Sequence, residues 1–332
     1  MFFCPWLALC LLKTCVAFTA TGNDHRSKSV ATFSIAASKS QRDYCPGCRR
    51  PLPQCLCDHL PPDKIRLPHT RVLVLQHPAE FRRKTTSTVP LLGLVLARCR
   101  VLVGRAFGAE LEAILDAARD DADGALPLLL FPGPTSLALD DPAAAARLAE
   151  RARAGGASPS GSTPNPRTPP KYLLVVLDGT WTQAKCMLRD NPALSERCQS
   201  VHFVGTSDPS IYDAIRKEPD ASFLSTLEAC ERALRRLEPH SPQVKEASRY
   251  LVRSLRAMIL TQIDYEQAHF NKHPDLARNV EKLRSKRERQ QQFLAKYSNV
   301  QDMRHVNNAT LVCNGTLPEG YTLRPLIKSD AR

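Results

Sequence analysis

Lys171-Tyr-Leu-Leu-Val-Val-Leu-Asp-Gly-Thr-Trp181 is the stretch on which the fold turns. Tyr172 to Leu177 is an unbroken apolar run of strand length, too short for a helix and rich in β-branched Val. That pattern marks a strand covered on both faces, as in parallel sheets. Asp178 and Gly179 end the run, and Thr180 is a good cap for a helix from Trp181 to Asp190. A doubly buried strand that turns directly into a helix is the repeating unit of an α/β sheet. A carboxylate at that turn stands at the sheet edge where ligands bind in such folds.

Working outward, Val72–Gln76, Arg100–Val103, Leu126–Phe131 and Val201–Val204 read as further buried strands. Helices are expected at Val89–Ala97, Ala109–Arg119 and Pro142–Ala154, between them. Alternation of this kind predicts a mainly parallel sheet with helices on both faces. Residues 155–170, GGASPSGSTPNPRTPP, hold five prolines and three glycines and read as a solvated insertion. Ser225-Thr-Leu-Glu228 is a capping-box signature opening a helix with Leu227, Leu234 and Leu237 on one face. Ala247 to Ala268 carries a buried stripe of Leu251, Leu255, Met258, Ile259 and Ile263. Residues 278–299 are helical by propensity but polar, which leaves two readings, a solvated helix or an RNA contact.

The 332 residues carry a formal charge of +13, unevenly spread. Residues 1–71 have an excess of +6, residues 72–270 of +1 and residues 271–332 of +6. A nearly neutral body between basic flanks suits an enzyme that meets a polyanion such as RNA. At 43% hydrophobic and 24% charged residues, the composition excludes a wholly disordered, collagen-like or multi-spanning membrane chain. Of 12 cysteines, four crowd into Cys45, Cys48, Cys55 and Cys57, spaced C-x2-C-x6-C-x-C. That spacing suits a tetrahedral zinc site better than disulfides, with Arg42, Arg49 and Arg50 making the knuckle basic. Cys99, Cys186, Cys198 and Cys230 read as small core residues.

Phe2 to Leu12 is almost wholly apolar but too short to span a bilayer as a helix. Thr19 to Ser40, rich in hydroxyl and basic residues, follows it. The order resembles the bipartite leaders of algae with secondary plastids, so residues 1–43 read either as a cleaved leader or as a disordered tail. The remaining divisions are a Cys4 knuckle at 44–62, a catalytic domain at 63–270 and a basic extension at 271–332. No stable membrane association is expected once a leader is removed, and no protein partner is indicated.

Seven segments in order carry a resemblance: Cys45-Pro-Gly-Cys48-Arg-Arg-Pro51, Cys55-Leu-Cys57, Gln76-His-Pro-Ala-Glu80, Thr88-Val-Pro-Leu-Leu92, Asp178-Gly-Thr-Trp181, Gln183-Ala-Lys185 and Leu224-Ser-Thr-Leu-Glu228. Together they resemble the DTW-domain family of tRNA-uridine aminocarboxypropyltransferases, closest to its eukaryotic type-2 branch, over residues 44–263 apart from the insertion. The resemblance implies a relative of the SPOUT enzymes, with a knotted C-terminal half that holds S-adenosylmethionine. It further implies transfer of the 3-amino-3-carboxypropyl group to N3 of a tRNA uridine in the D-loop, with release of 5′-methylthioadenosine. A nuclear or cytoplasmic location follows from the family, and a plastid from the leader.

Uridine N3 carries a proton, so a base must remove it, and Asp178 is the candidate for a nucleobase drawn out of its stack. Phe131, Pro132, Gly133, Gly179, Thr180, Leu224, Ser225 and Thr226 are candidates to line the co-substrate; His77, Glu80, Trp181 and Arg216 are candidates to meet the RNA or its reacting groups. Plainer readings stand beside these. Asp178 or Thr180 could cap the helix, and Trp181 is favoured as a packing residue over a stacking platform. Arg216 could be a surface ion pair or a clamp for carboxylate or phosphate; His77 could be a hydrogen-bonded bystander, and Ser225 with Glu228 a capping box. Two competing functions also remain: a non-catalytic zinc-knuckle RNA-binding module, and a SPOUT-type methyltransferase.

Overall fold

The computed structural model describes residues 43–82, 86–120, 124–155, 169–204, 210–216, 224–272 and 280–297. The leader, the insertion at 156–168, Lys217-Glu218-Pro219 and everything past residue 297 lie outside the described residues. The elements run β1 (Thr70–Gln76), α1 (Pro78–Phe81), α2 (Val89–Val95), β2 (Cys99–Val103), α3 (Gly108–Asp120), β3 (Leu126–Leu130), β4 (Leu137–Ala138) and α4 (Pro142–Gly155). Then follow β5 (Tyr172–Asp178), α5 (Trp181–Asp190), α6 (Pro192–Arg197), β6 (Gln199–His202), α7 (Thr226–Leu237), α8 (Pro242–Lys272) and α9 (Val280–Tyr297).

Six strands form one sheet in the order β2-β1-β5-β3-β6-β4, and every pairing among them is parallel. Successive residues of each central strand point to opposite faces. Val72, Val74, Leu128, Leu174, Val176 and Val201 therefore enter one core with α2, α4, α7 and α8. Leu73, Leu75, Leu129, Leu173 and Val175 enter a second core with α3, α5 and α6. Helices do cover both faces, which is why the strands read as continuous apolar runs.

Several boundaries differ from the sequence reading for identifiable reasons. β6 starts at Gln199, where its ladder with β3 begins at Leu128↔Gln199, and ends at His202, its last partner on β4 being Ala138. Val204 lies past the ladder, exposed, with its N–H donating to Asp140. β4 has only two residues and α6 only six, too short for periodicity to register. α8 begins at Pro242 rather than Ala247, since Pro fits the first helical turn. Among the described residues, no helix is long and apolar enough to cross a membrane.

The polar helix near the C-terminus is docked rather than solvated. Phe293 is 5% exposed and belongs to the first core, and Gln290 is buried. Lys286 pairs with Glu266 of α8 at 2.7 Å, and the Arg256 guanidinium lies 4.4 Å from the centre of the Tyr297 ring. The packed apolar residues gather at the end of the helix, at Phe293, Leu294 and Tyr297, so the average polarity of the segment hid them.

Leu174 lies on the central strand with no exposed surface. Leu174→Ala is expected to cost about 2–5 kcal/mol of stability, measured by denaturant unfolding of the purified protein.

Candidate active site and tetracysteine cluster

The C-terminal ends of β1, β5 and β3 lie side by side. β1 connects outward to β2, whereas β3 starts on the other side and β5 later fills the gap between β1 and β3. This reversal of direction is the place where parallel sheets open a crevice for ligands. Asp178 is the last residue of β5 and stands in register with Gln76, the last residue of β1. Only 8% of its surface is exposed.

Two donors hold the buried carboxylate. Gln76 Nε2 donates to Asp178 Oδ2 at 2.8 Å, and Thr226 Oγ1, from the first turn of α7, donates to Oδ1. Burial raises the Asp178 pKa above its ordinary 3.8, the two hydrogen bonds pull it down, and the nearby Glu80 charge pushes it up again. A buried carboxylate whose pKa is raised takes up a proton more readily than an exposed one, which suits it to act as a base. Thr226 thus grips the carboxylate, where the sequence suggested a lining role for the co-substrate.

Around Asp178 the residues of the motifs divide by task. The His77 N–H donates to the Asp178 carbonyl at 2.8 Å, tying the loop after β1 to the end of β5. Its ring Nδ1 accepts from the Ala79 N–H, so the side chain caps α1 as the bystander reading expected. Gly179 is pressed between loops: an added Cβ would stand 3.1 Å from the Gln183 Cβ and 3.5 Å from that of His77. Thr180 and Gln183 form a capping box at the start of α5. Trp181 is 41% exposed with its ring 5.5 Å from that of Phe131, so it is not buried packing but an open aromatic surface beside the carboxylate.

On the other side, Glu80 is buried and Arg216 stands 3.7 Å from it, half exposed. The two charges bring the loops after β1 and β6 together. Ser225 caps α7, and Glu228 accepts from the Ser225 N–H and Oγ, from Ser210 Oγ and from the Ile211 N–H. Glu228 is therefore more than a helix cap; it ties the segment at 210–216 to the helix that grips Asp178. Pro132 and Gly133 are exposed, and nothing lies within 4 Å of a Cβ added at Gly133. Close approach at Gly133 is thus not required by the protein's own atoms. Ser136 shapes this loop, accepting from the Gly133 N–H, donating to the Gly133 carbonyl and meeting His202 Nδ1 at 2.8 Å. Leu224 is half-buried just ahead of the Ser225 cap.

The sequence reading did not single out Gln76, Ser136 or His202. Gln76 had a signal, a polar amide at the end of a strand otherwise buried on both faces. Ser136 and His202 had none, because they meet only through the pairing of β4 with β6.

The four cysteines Cys45, Cys48, Cys55 and Cys57 place their Sγ atoms within 4.8 Å of one another. Two approaches are close, 3.5 Å for Cys45 with Cys57 and 3.8 Å for Cys48 with Cys55. A Cβ added at Gly47 would lie 3.0 Å from Cys57 Sγ and would press that sulfur aside. Arg49 adopts φ 57°, a left-handed turn that sends its N–H to the Cys45 carbonyl. The hydrogen bond from Cys55 lowers the Cys48 thiol to about 4, whereas burial is the chief cause of the rise of Cys57 to about 12. Sulfurs this close share protons, and one thiolate is held by the others. Arg50 is 9% exposed beside Cys48, its pKa drawn down by burial; it is not the outward basic residue that its place in the sequence suggested. Of the remaining four cysteines named above, only Cys230 is fully buried, and burial, with smaller pushes from Cys99 and Glu231, drives its pKa well up.

Fold and site together define an α/β protein with a doubly covered parallel sheet, a carboxylate gripped at its C-terminal edge, and a tetracysteine cluster ahead of the first strand. The model of the DTW domain matches residues 42–263, and the chain belongs to the DTW-domain family. It is 32% identical over 235 residues to a tRNA-uridine aminocarboxypropyltransferase 2 of Drosophila melanogaster, covering 68% of this chain and 77% of the relative. A Macaca fascicularis protein of the same name is 32% identical over 251 residues, 75% and 73% of the two chains. A tRNA-uridine aminocarboxypropyltransferase A of Arabidopsis thaliana is 29% identical over 254 residues, 72% and 88%. No solved structure matches the chain.

The grip on Asp178 is testable without substrate. Thr226→Val removes a donor to the ionised carboxylate, so the Asp178 pKa is expected to rise further in a carbon-detected NMR titration. An unchanged pKa would mean that the hydroxyl contributes nothing.

Proposed function

We propose that the protein is a tRNA-uridine aminocarboxypropyltransferase, moving the 3-amino-3-carboxypropyl group of S-adenosylmethionine to N3 of a tRNA uridine. The observation that carries this reading is Asp178, a buried carboxylate with a raised pKa at the sheet edge, inside a chain whose relatives bear that activity in their names. S-adenosylmethionine supplies a sulfonium whose carbons are open to attack. Asp178 takes the N3 proton, the N3–carbon bond forms as the sulfur–carbon bond breaks, and the sulfur leaves as the neutral thioether of 5′-methylthioadenosine. Selection among the three carbons on sulfur is a matter of position, not of reactivity.

The other residues support the same reading. Trp181 and Phe131 offer an aromatic surface on which an unstacked uracil can lie. Arg216 presents a half-exposed guanidinium to an anion, the carboxylate of the transferred group or a phosphate. Gly179, Thr180, Pro132, Gly133, Leu224 and Ser225 supply loop backbone at the edge of the crevice. The knotted half belongs to this reading through the family resemblance, as does a D-loop target.

Zinc fits the tetracysteine cluster. Four sulfurs bound at about 2.3 Å around one zinc stand roughly 3.8 Å apart, and the two closest approaches here are 3.5 and 3.8 Å. Cys45, Cys48, Cys55 and Cys57 would hold the ion, which supplies structural cross-linking with no part in the transfer. A leader at residues 1–43 remains part of the proposal, tested by a reporter fusion of that segment.

Purified protein incubated with S-adenosylmethionine and unmodified tRNA is expected to release 5′-methylthioadenosine. S-adenosylhomocysteine instead would mean methyl transfer, and neither product would leave a binding module. Activity requires ionised Asp178, so kcat/KM is expected to fall as pH drops through a pKa above 3.8. Asp178→Asn should slow turnover by about 10²–10⁴ and abolish that acid limb. One zinc per chain is expected by metal analysis, lost when Cys55 and Cys57 are both changed to Ser.

A further inference from the structure

The family match ends at residue 263, yet the chain adds α9 beyond it and turns that helix back onto the site. Arg289 of α9 reaches the 3-10 turn Ile211–Ala214, donating from Nε to the Asp213 carbonyl at 3.0 Å and lying 3.2 Å from Asp213 Oδ2. The guanidinium is steered by its own helix, since its other arm donates to the Ser285 carbonyl and Oγ at 3.2 and 2.9 Å. Both partners of the pair are largely shielded, so the contact is not a solvent-screened surface pair. Gln290, the next residue, and Phe293, one turn on, fix the helix against α8, with Gln290 donating to Glu266.

The turn that Arg289 holds leads to the site by two routes. Arg216, two residues past the turn, pairs with Glu80, whose charge acts on Asp178. Ser210 and Ile211, at its start, donate to Glu228 of α7, the helix whose Thr226 grips Asp178. Tyr212 pins the middle by donating from its hydroxyl to the Thr86 carbonyl at 2.7 Å. Among the described residues, these side-chain ties link the turn to α1, α7 and α9.

We infer that α9 is an intramolecular brace, and that Arg289 is a positioning residue that sets Arg216 and the wall of the site through Asp213. The kinetic part rests on the transferase reading above; the structural part does not. A helix that merely adds stability would act on the whole fold, whereas a brace acts on the segment 210–216 and on the step that Arg216 serves.

The experiment compares Arg289→Ala, Arg289→Lys and Arg216→Ala, alone and with Arg289→Ala added to Arg216→Ala, in the full chain. Arg289→Ala is expected to speed amide exchange of 210–216 by about tenfold with exchange in β2 and α3 unchanged. It should raise about tenfold whichever KM Arg216→Ala raises, leave kcat within about twofold, and add less than about twofold when Arg216 is already Ala. Arg289→Lys, which keeps a charged donor, should recover most of the loss. Unchanged exchange at 210–216, or an effect fully additive with Arg216→Ala, would overturn the brace. So would a lower tRNA affinity with a flatter salt dependence and an undisturbed turn, which would make α9 a phosphate-binding helix. If no transfer product forms at all, the exchange measurement still decides the matter.

Discussion

The site depends on one arrangement: an ionisable carboxyl buried at the end of β5 and satisfied by two donors from different elements. Burying a carboxylate without partners is costly, and it would remain protonated at neutral pH. Gln76 reaches it only because β1 and β5 are in register at their last residues, and Thr226 only because α7 begins against the sheet edge. The carboxyl therefore makes demands on strand register and on helix placement together. The capping box at Ser225 and Glu228 has its place in this, since it holds the first turn of α7 where the Thr226 hydroxyl must be.

Much of that architecture is legible in the sequence because a strand covered on both faces has to be apolar at every position. Val72–Gln76 and Tyr172–Leu177 announce themselves for this reason, and so do the helices with wide apolar stripes. β4 and α6 escape because each is shorter than one period of any pattern. Trp181 was favoured as packing on the general habits of tryptophan, but Thr180 turns α5 so that its first residue faces outward beside Phe131. Thr226 is the instructive case: its place in the motif was plain, but the atom it touches is 48 residues away and is set by tertiary geometry.

The tetracysteine cluster shows the same division. Spacing was enough to mark the four sulfurs as one group, and the tight turns between Cys45 and Cys57, including the 3-10 turn Leu52–Gln54, fold the chain so that they meet. The charge of the knuckle was not readable in that way. Arg50 turns inward, its carbonyl oxygen accepting from the Cys45 N–H, while its guanidinium lies buried in the field of Cys48. A short basic run around a cysteine cluster is thus not automatically a surface for nucleic acid.

The basic C-terminal flank calls for the same correction. An excess of +6 over residues 271–332 suggests a polyanion grip only if those charges face solvent. In α9, Lys286 is paired with Glu266, Arg289 with Asp213 and Arg284 with Glu288. The first two pairs are shielded and reach other elements, so they fasten the helix; the third is exposed and contributes little. Net charge counts these side chains as free, whereas the fold uses two of them as internal ties. Near the crevice, Arg216, at the end of the turn that α9 holds, keeps 44% of its side chain exposed while pairing with Glu80, so its remaining donors face outward on the same side as Asp178.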